Sequence, residues 1–320
     1  MAGLFACVFP GQGSQRVGML SAIAEAEPLV RETFAEASEV LGYDLWNLAQ
    51  SGPQEALNLT ERTQPLILCA SVALWRVWRG RGGAMPAYMA GHSLGEFSAL
   101  VCAGALGFAD AVRLVRNRGA YMQEAVPVGQ GAMAAVLGLD DALIEQACLE
   151  AAGTEVVAAV NFNSPGQVVI AGHAGAVERA IAACKSLGAK RAMPLPVSAP
   201  FHTSLMKPAG DRLAQDIAAV SLASPAVPVI HNVHARPESD AGKIRALLVQ
   251  QIASPVQWVA SVRFMVDAGV QHVVEVGPGK VLGGLCKRID ASLECFYSEE
   301  SQDLDKALAA AGAPIDIGSE

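Results

Sequence analysis

The 320 residues are 52% hydrophobic and 17% charged, a balance that supports a sizeable buried core and excludes a disordered chain. The 23 basic and 31 acidic side chains give a formal net charge of −8, and like charges form no block. Neither nucleic acid nor a membrane is therefore expected as a partner. Seven scattered cysteines without a C-x-x-C pair indicate reduced thiols in the cytoplasm rather than disulfides or a zinc site.

The first part of the chain predicts a mostly parallel sheet covered by helices. Leu4–Phe9 is wholly apolar and is followed by Pro10-Gly11, a pattern typical of a strand buried on both faces. Residues 87–90 predict a second strand of this kind. Apolar side chains at three- and four-residue spacing predict the helices Pro28–Leu41, 64–78, 97–106 and 110–124. Strands that alternate with helices in this way indicate an α/β fold.

From residue 131 onward the pattern changes to β-α-β-β-α-β, the ferredoxin-like split motif. Its predicted elements are strand 132–137, helix 140–152, strands 156–161 and 168–171, helix 176–187 and strand 191–197. The α/β alternation then resumes, with strands near 227–232 and 272–276. The chain is thus expected to form one large α/β domain, residues 1–127 and 199–320, interrupted by a ferredoxin-like subdomain, residues 128–198. A ligand cleft is expected between them.

Residues 91–95 read Gly-His-Ser-Leu-Gly and match the G-x-S-x-G motif of serine nucleophiles. The motif lies between a predicted strand and a helix that begins at Glu96, where its sharp turn must be. Glycines permit a strained backbone that lifts the Ser93 hydroxyl above the sheet. The N-terminus of the helix can stabilise an oxyanion there, and the N–H of Leu94 is the natural donor. The alternative is that Ser93 only caps the helix.

A serine nucleophile needs a base, and the chain has six histidines. His92 is discounted because adjacent side chains diverge, and His173 lies in the predicted subdomain. His202, His231 and His234 each follow a predicted strand of the large domain, and the residues alone leave these three open. No sequence feature marks an Asp or Glu as the third member of a catalytic triad.

Arg118 is predicted to face the core. On a helix with 100° per residue, Arg118 falls within the apolar stripe, whereas Arg113 and Arg116 fall on the polar side. A buried guanidinium needs an anion, because burying it unpaired costs several kcal/mol. Its partner is either a protein carboxylate or the carboxylate of a substrate, which arginine binds with two hydrogen bonds.

Residues 11–15 form a glycine-containing loop after the first strand. Its backbone amides can approach a ligand and supply a second oxyanion donor. The sequence contains neither G-x-G-x-x-G nor G-x-x-x-x-G-K-[ST], so this loop is not predicted to bind a nucleotide. No metal is expected either, since metal-ligand spacing is absent.

Together these motifs resemble a family, the malonyl-CoA:acyl carrier protein transacylases of type II fatty-acid synthesis. The resembling segments run in order across nearly the whole chain: 9–15, 91–96, 118–119, 161–167, 200–202 and 275–279. The resemblance implies an α/β-hydrolase-like core with an inserted ferredoxin-like subdomain. It also implies malonyl-CoA as acyl donor, holo acyl carrier protein as acceptor, and no cofactor beyond the phosphopantetheine that this partner carries.

The resemblance also implies roles for particular residues. Ser93 is then the nucleophile, His202 its base, and Arg118 the clamp for the malonyl carboxylate. The N–H groups of Gln12 and Leu94 then form the oxyanion hole.

Two further positions follow from the same resemblance. In the family, main-chain carbonyl groups rather than a carboxylate orient the histidine, and Gln251 matches the position of one such contact. Phe201 matches a position that tracks substrate size in related polyketide-synthase acyltransferases, where Phe accompanies malonyl and Ser accompanies methylmalonyl. A bulky ring there is expected to disfavour a methyl branch. The alternative is that Phe201 is simply a core residue.

The residues and the resemblance together favour a ping-pong transfer of the malonyl group through an ester on Ser93. The resemblance implies that this transfer supplies fatty-acid elongation. One alternative is an esterase or thioesterase with water as the acceptor, and Arg118 together with the missing triad carboxylate weighs against it. Another is a non-catalytic module that docks acyl carrier protein, against which the presence of Ser93 and His202 weighs.

An acidic carrier protein needs a local basic patch on this acidic chain. Lys185, Lys190 and Arg191 are candidates because they cluster in the sequence. The alternative is that they form an ordinary solvated surface.

Overall fold

The structure, a computed structural model, describes residues 3–197 and 199–312. Within these residues the strands form two separate sheets. In chain order the strands are β1 (Leu4–Phe9), β2 (Tyr88–Gly91), β3 (Gly131–Leu137), β4 (Val157–Ser164), β5 (Gln167–His173), β6 (Arg191–Pro194), β7 (Val229–Ile230), β8 (Val270–Glu275) and β9 (Glu294–Tyr297).

Helices surround both sheets, and no helix in the described ranges is long and apolar enough to cross a membrane. A short 3₁₀ turn, Ser204–Met206, precedes the tenth α-helix. The α-helices are α1 (Ser21–Ala26), α2 (Pro28–Leu41), α3 (Leu45–Ser51), α4 (Gln54–Leu57), α5 (Thr60–Gly80), α6 (Gly95–Cys102), α7 (Phe108–Glu124), α8 (Asp141–Ala152), α9 (Ala174–Ser186), α10 (Lys207–Ala218), α11 (Ala241–Gln251), α12 (Trp258–Asp267), α13 (Val281–Ile289) and α14 (Ser301–Ala311).

The larger sheet is fully parallel, with strand order β7-β2-β1-β8-β9. Its central strand β1 packs on both faces, because successive side chains of a strand point to opposite sides. Phe5, Cys7 and Phe9 join the core that contains α5, whereas Ala6 and Val8 join the core that contains α12 and α13. Burial on both faces explains why β1 is a continuous apolar run, and the predicted α/β class is confirmed.

The smaller sheet is antiparallel, with order β4-β5-β3-β6. Helices α8 and α9 cover one face, on which Ala134 and Val136 share a core with them. The opposite face carries Met133 and Val169, which join the core of the larger sheet instead. Element order and topology are those of the ferredoxin-like motif, as predicted.

Several elements differ from the sequence prediction in extent. β6 ends at Pro194, three residues early, and a second proline at 196 also lacks the N–H that a ladder needs. The edge strand β9 was not predicted, because its apolar run has only three residues, 295–297, and their side chains are only partly buried. The predicted domain ranges, 1–127 with 199–320 and 128–198, stay a prediction, and their ends at 1, 198 and 320 lie outside the described residues.

Hydrogen bonds join the edge of the smaller sheet to the larger part of the protein. The N–H of Phe162 donates to the carbonyl of Val256 at 3.1 Å, and the N–H of Val256 donates to the carbonyl of Val160 at 2.8 Å. These bonds cover an otherwise open strand edge. They also hold the antiparallel sheet beside the loops that follow β1 and β2, where the predicted cleft is found.

Close packing between β1 and α6 predicts a sharp effect of one methyl group. In Gly95→Ala the new Cβ would lie 2.0 Å from the carbonyl oxygen of Phe9, so backbone must move and we expect a loss of about 1–3 kcal/mol or more in the free energy of unfolding. The control is Gly284→Ala in α13, where the Cβ meets nothing within 4 Å and helix propensity improves. Thermal unfolding should show a lower Tm only for Gly95→Ala, and equal Tm values would contradict the packing.

Candidate active site

Ser93 stands at a strained turn between β2 and α6. Its φ of 50° lies in the left-handed region, which residues with a side chain rarely adopt. A Cβ on Gly91 would lie 1.8 Å from the carbonyl carbon of Gly95, so this close turn requires glycine. Asn232 fixes the turn from outside, since it accepts from the N–H of Ser93 at 2.7 Å and donates to the carbonyl of Gly91 at 2.6 Å. The predicted strained turn is confirmed.

Of the three histidines left open by the sequence, His202 contacts Ser93. The His202 Nε2 lies 2.7 Å from Ser93 Oγ, and its Nδ1 lies 2.9 Å from the backbone oxygen of Gln251. A carbonyl accepts but cannot donate, so Nδ1 carries the proton and Nε2 is left to accept from the serine hydroxyl. His231 bonds Glu96 instead, and His234 accepts from a neighbouring backbone N–H.

Burial keeps His202 neutral. It lowers the pKa of His202 to about 3, and the nearby Arg118 guanidinium acts in the same direction, against the backbone carbonyl bond that raises the pKa. A neutral imidazole hydrogen-bonded to a hydroxyl is the arrangement of a base with its nucleophile.

Arg118 on α7 is 1% exposed, as its helical phase predicted. Its Nη1 donates to Gln64 Oε1 at 2.9 Å, and its Nη2 donates to Gln251 Oε1 at 2.8 Å and to Ser93 Oγ at 3.1 Å. Within residues 3–197 and 199–312, no carboxylate forms an ion pair with it. Burial lowers its pKa to about 10, so the guanidinium stays charged at neutral pH.

A cavity of about 210 Å³ opens above Ser93 between the two sheets. Met133 and Val169 line it from the antiparallel sheet, and Gln12 and Leu94 line it from the loops after β1 and β2. In the described part of the chain, the N–H groups of Gln12 and Leu94 donate to no acceptor. Both are therefore available to a ligand oxygen beside Ser93.

Phe201, directly before the histidine, also lines the cavity and is 9% exposed. Lys185, Lys190 and Arg191 are exposed, away from the cavity lining. Their role as a docking patch stays a prediction.

Sequence reasoning missed several polar residues of the site. Gln64 on α5 could have been predicted in the same way as Arg118, because it is a polar side chain on the apolar face of a helix. His92, discounted as a base, lies in the cavity wall with its Nε2 2.8 Å from Asn163 Oδ1. Asn232 gave no local signal, since its partners are distant in the chain.

Comparison with known proteins places this geometry in a family. Residues 6–289 match the model of the acyl transferase domain. The malonyl CoA-acyl carrier protein transacylase of Salmonella typhimurium is 62% identical over 304 residues, which cover 95% of this chain and 98% of the relative.

Solved structures agree with that match. The malonyl CoA-acyl carrier protein transacylase from Coxiella burnetii superposes with a TM-score of 0.96 at 51% identity and covers 97% of this chain and 98% of its own. A second structure is of a type II PKS acyl-carrier protein in complex with its malonyl-transacylase. It matches with a TM-score of 0.94 at 55% identity, and the match covers 96% of this chain and 99% of the chain in that structure. The protein is thus an acyltransferase by fold and site. Within that class the chain belongs to the malonyl CoA-acyl carrier protein transacylase family.

The depressed pKa of His202 predicts an unusual pH dependence. Because only the neutral imidazole accepts the serine proton, and its pKa is about 3 rather than 6.5, labelling of Ser93 by a fluorophosphonate should proceed at a constant rate from pH 8 to about pH 5. Ser93→Ala gives the background, and circular dichroism checks that the protein stays folded at each pH. A fall in rate centred near pH 6.5 would show an ordinary histidine.

Proposed function

We propose that this protein transfers the malonyl group of malonyl-CoA to the phosphopantetheine thiol of holo acyl carrier protein through a malonyl ester on Ser93. The observation that carries the proposal is the convergence of three groups in one cavity. Ser93 Oγ lies 2.7 Å from the base His202 and 3.1 Å from the cation Arg118. A nucleophile, a base and a site for a carboxylate are the requirements for binding and transferring a malonyl group.

In the first half-reaction, His202 takes the proton of the Ser93 hydroxyl as Oγ attacks the thioester carbonyl. The N–H groups of Gln12 and Leu94 stabilise the oxyanion. The carbon–sulfur bond then breaks, and coenzyme A leaves as a thiol with the proton from His202. In the second half-reaction the carrier thiol gives its proton to His202, its sulfur attacks the ester, and the serine oxygen recovers the proton.

Arg118 selects and orients the acyl group. Its Nε is buried without a partner in the described residues, and its Nη atoms contact only uncharged groups. A substrate carboxylate therefore supplies the directly bonded anion that the described residues do not provide for this buried cation. Fixing the carboxylate also holds the thioester carbonyl against the oxyanion donors.

The Phe201 ring sits in the cavity wall beside the base. There it narrows the space next to the malonyl α-carbon. This placement supports a preference for malonyl over branched groups such as methylmalonyl.

The acceptor and the cellular compartment are inferred from the carrier protein bound to a relative and from the state of the cysteines. The type II PKS carrier bound to a 55% identical relative supports an acyl carrier protein as acceptor, with fatty-acid elongation as the use. All seven cysteines are free, and six of them are buried, which supports a reducing, cytoplasmic compartment.

Intact-protein mass spectrometry tests both half-reactions. Brief incubation with malonyl-CoA should add one malonyl group to the wild type and none to Ser93→Ala, and holo acyl carrier protein should then remove it. An adduct that decays in buffer as fast as it does with the carrier would instead identify a hydrolase, for which water is the acceptor. Full transfer by Ser93→Ala would place the nucleophile elsewhere.

Removing the cation should weaken the preference for the malonyl group. We expect Arg118→Ala to lose malonyl transfer by at least about 100-fold, since a charge-assisted pair contributes about 3 kcal/mol, while its activity on acetyl-CoA rises relative to malonyl-CoA. The control is Arg113→Ala on the same helix, where the side chain is 57% exposed and pairs with Asp110. Competition assays with the two thioesters measure the ratio, and an unchanged malonyl preference in Arg118→Ala would contradict the role.

A further inference from the structure

Glu96 is a fully buried carboxylate to which no step of the reaction assigns a role. It lies on α6, three residues after Ser93, with no exposed surface. Its Oε1 lies 2.7 Å from His231 Nδ1, and its Oε2 accepts from the N–H of Asn232 and from Gln251 Nε2, both at 2.9 Å. A buried carboxylate is costly unless a nearby positive charge compensates it.

His231, the direct partner of Glu96 Oε1, carries a positive charge only when it is protonated, whereas the permanent cation Arg118 lies at the other end of one amide group. Gln251 donates through Nε2 to Glu96 and accepts through Oε1 from Arg118 Nη2 at 2.8 Å. A further bond from Nε2 to the carbonyl of Ser93 at 2.9 Å fixes which way this amide points. The carboxylate, the amide and the guanidinium therefore form a chain, and the two buried charges do not touch.

Spacing the charges by an amide affects how Arg118 can bind a substrate carboxylate. A direct ion pair would occupy the Arg118 donors and cancel its charge, whereas a guanidinium with no counter-charge would be unstable in the core. Glu96 favours the charged form of Arg118 against burial. At the same time it leaves the guanidinium free to meet a second carboxylate.

We propose that Glu96 is the resident counter-charge of Arg118, held one amide away by Gln251, and that this spaced pair sets how strongly the site binds a carboxylate-bearing acyl group. The first part rests on the hydrogen-bonded chain from Glu96 through Gln251 to Arg118 and needs no substrate. The second part rests on the proposed function, in which the substrate carboxylate binds Arg118. Glu96 touches no reacting atom, so it is a positioning residue.

Glu96→Gln removes the charge and keeps the hydrogen bonds. The new amide oxygen can accept from Asn232 and Gln251, which leaves the NH₂ group facing His231 Nδ1. That nitrogen accepts once the imidazole proton moves to Nε2, which has no partner in the described residues. The new Nε2–H of His231 has no acceptor in the described residues, but Glu96→Gln carries this cost with or without Arg118, so a double-mutant cycle separates it from the effect of the charge.

A double-mutant cycle without substrate tests the pairing. We expect Glu96→Gln to lower the Tm of the wild type by several degrees, because Arg118 loses its counter-charge. In Arg118→Met, whose long neutral side chain fills the same space, Glu96→Gln should raise the Tm, because it removes an uncompensated anion. The same change of Tm in both backgrounds would mean that Glu96 only supports structure, and would overturn the proposal.

Glu299→Gln is the matched control for the cycle. Glu299 is also a buried carboxylate, but it pairs directly with Arg16 at 2.8 Å and bonds the N–H of Gly279. Its effect on Tm should be equal in the wild type and in Arg118→Met. An effect that changes sign there as well would overturn the specific link between Glu96 and Arg118.

Kinetics test the second part. In Glu96→Gln the malonyl carboxylate no longer meets a second negative charge near Arg118. The KM for malonyl-CoA should therefore fall by at least about fivefold, while the KM for acetyl-CoA stays unchanged. An unchanged malonyl KM would overturn the claim that the pair tunes substrate binding. Failure of the proposed function is a separate result, seen as an unaltered malonyl preference in Arg118→Ala, because the Tm cycle contains no substrate.

Discussion

The site depends on one constraint, the burial of the Arg118 guanidinium with none of the carboxylates in residues 3–197 and 199–312 in contact with it. Three elements converge to satisfy it: α5 supplies Gln64, α11 supplies Gln251, and the turn after β2 supplies the Ser93 hydroxyl. All of these partners are uncharged, so the positive charge is held in place and not cancelled. An anion in the cavity above Ser93 would complete the pairing.

The same choice of uncharged partners governs the histidine. A backbone carbonyl takes the position that a carboxylate has in many serine triads, and it orients His202 without adding a negative charge. Burial and Arg118 then keep the imidazole neutral. The buried carboxylate Glu96 is separated from the cation by the Gln251 amide. The two side chains that contact Ser93 Oγ are thus a neutral imidazole and a guanidinium cation, which suits an acyl group that carries its own negative charge.

The sequence predicted what depends on local periodicity and local strain. The apolar run of β1, the helical phase of Arg118 and the strained turn at Ser93 all follow from neighbouring residues. Neighbouring residues did not select His202 among the three histidines. Its position depends on its own left-handed backbone conformation in a loop and on the backbone carbonyl of Gln251 at the end of α11. Resemblance to a family, and not spacing, pointed to that histidine. The roles of Glu96 and Asn232 could not be predicted from the sequence, because their hydrogen-bond partners lie far away in the chain.

The most direct test of this account is the crystal structure of the malonyl-Ser93 enzyme, trapped before a carrier thiol is added. The account predicts that the malonyl carboxylate accepts two hydrogen bonds from Arg118, at about 2.8 Å each, with the ester carbonyl oxygen facing the N–H groups of Gln12 and Leu94. A carboxylate directed to solvent, with Arg118 still bonded only to Gln64 and Gln251, would contradict it.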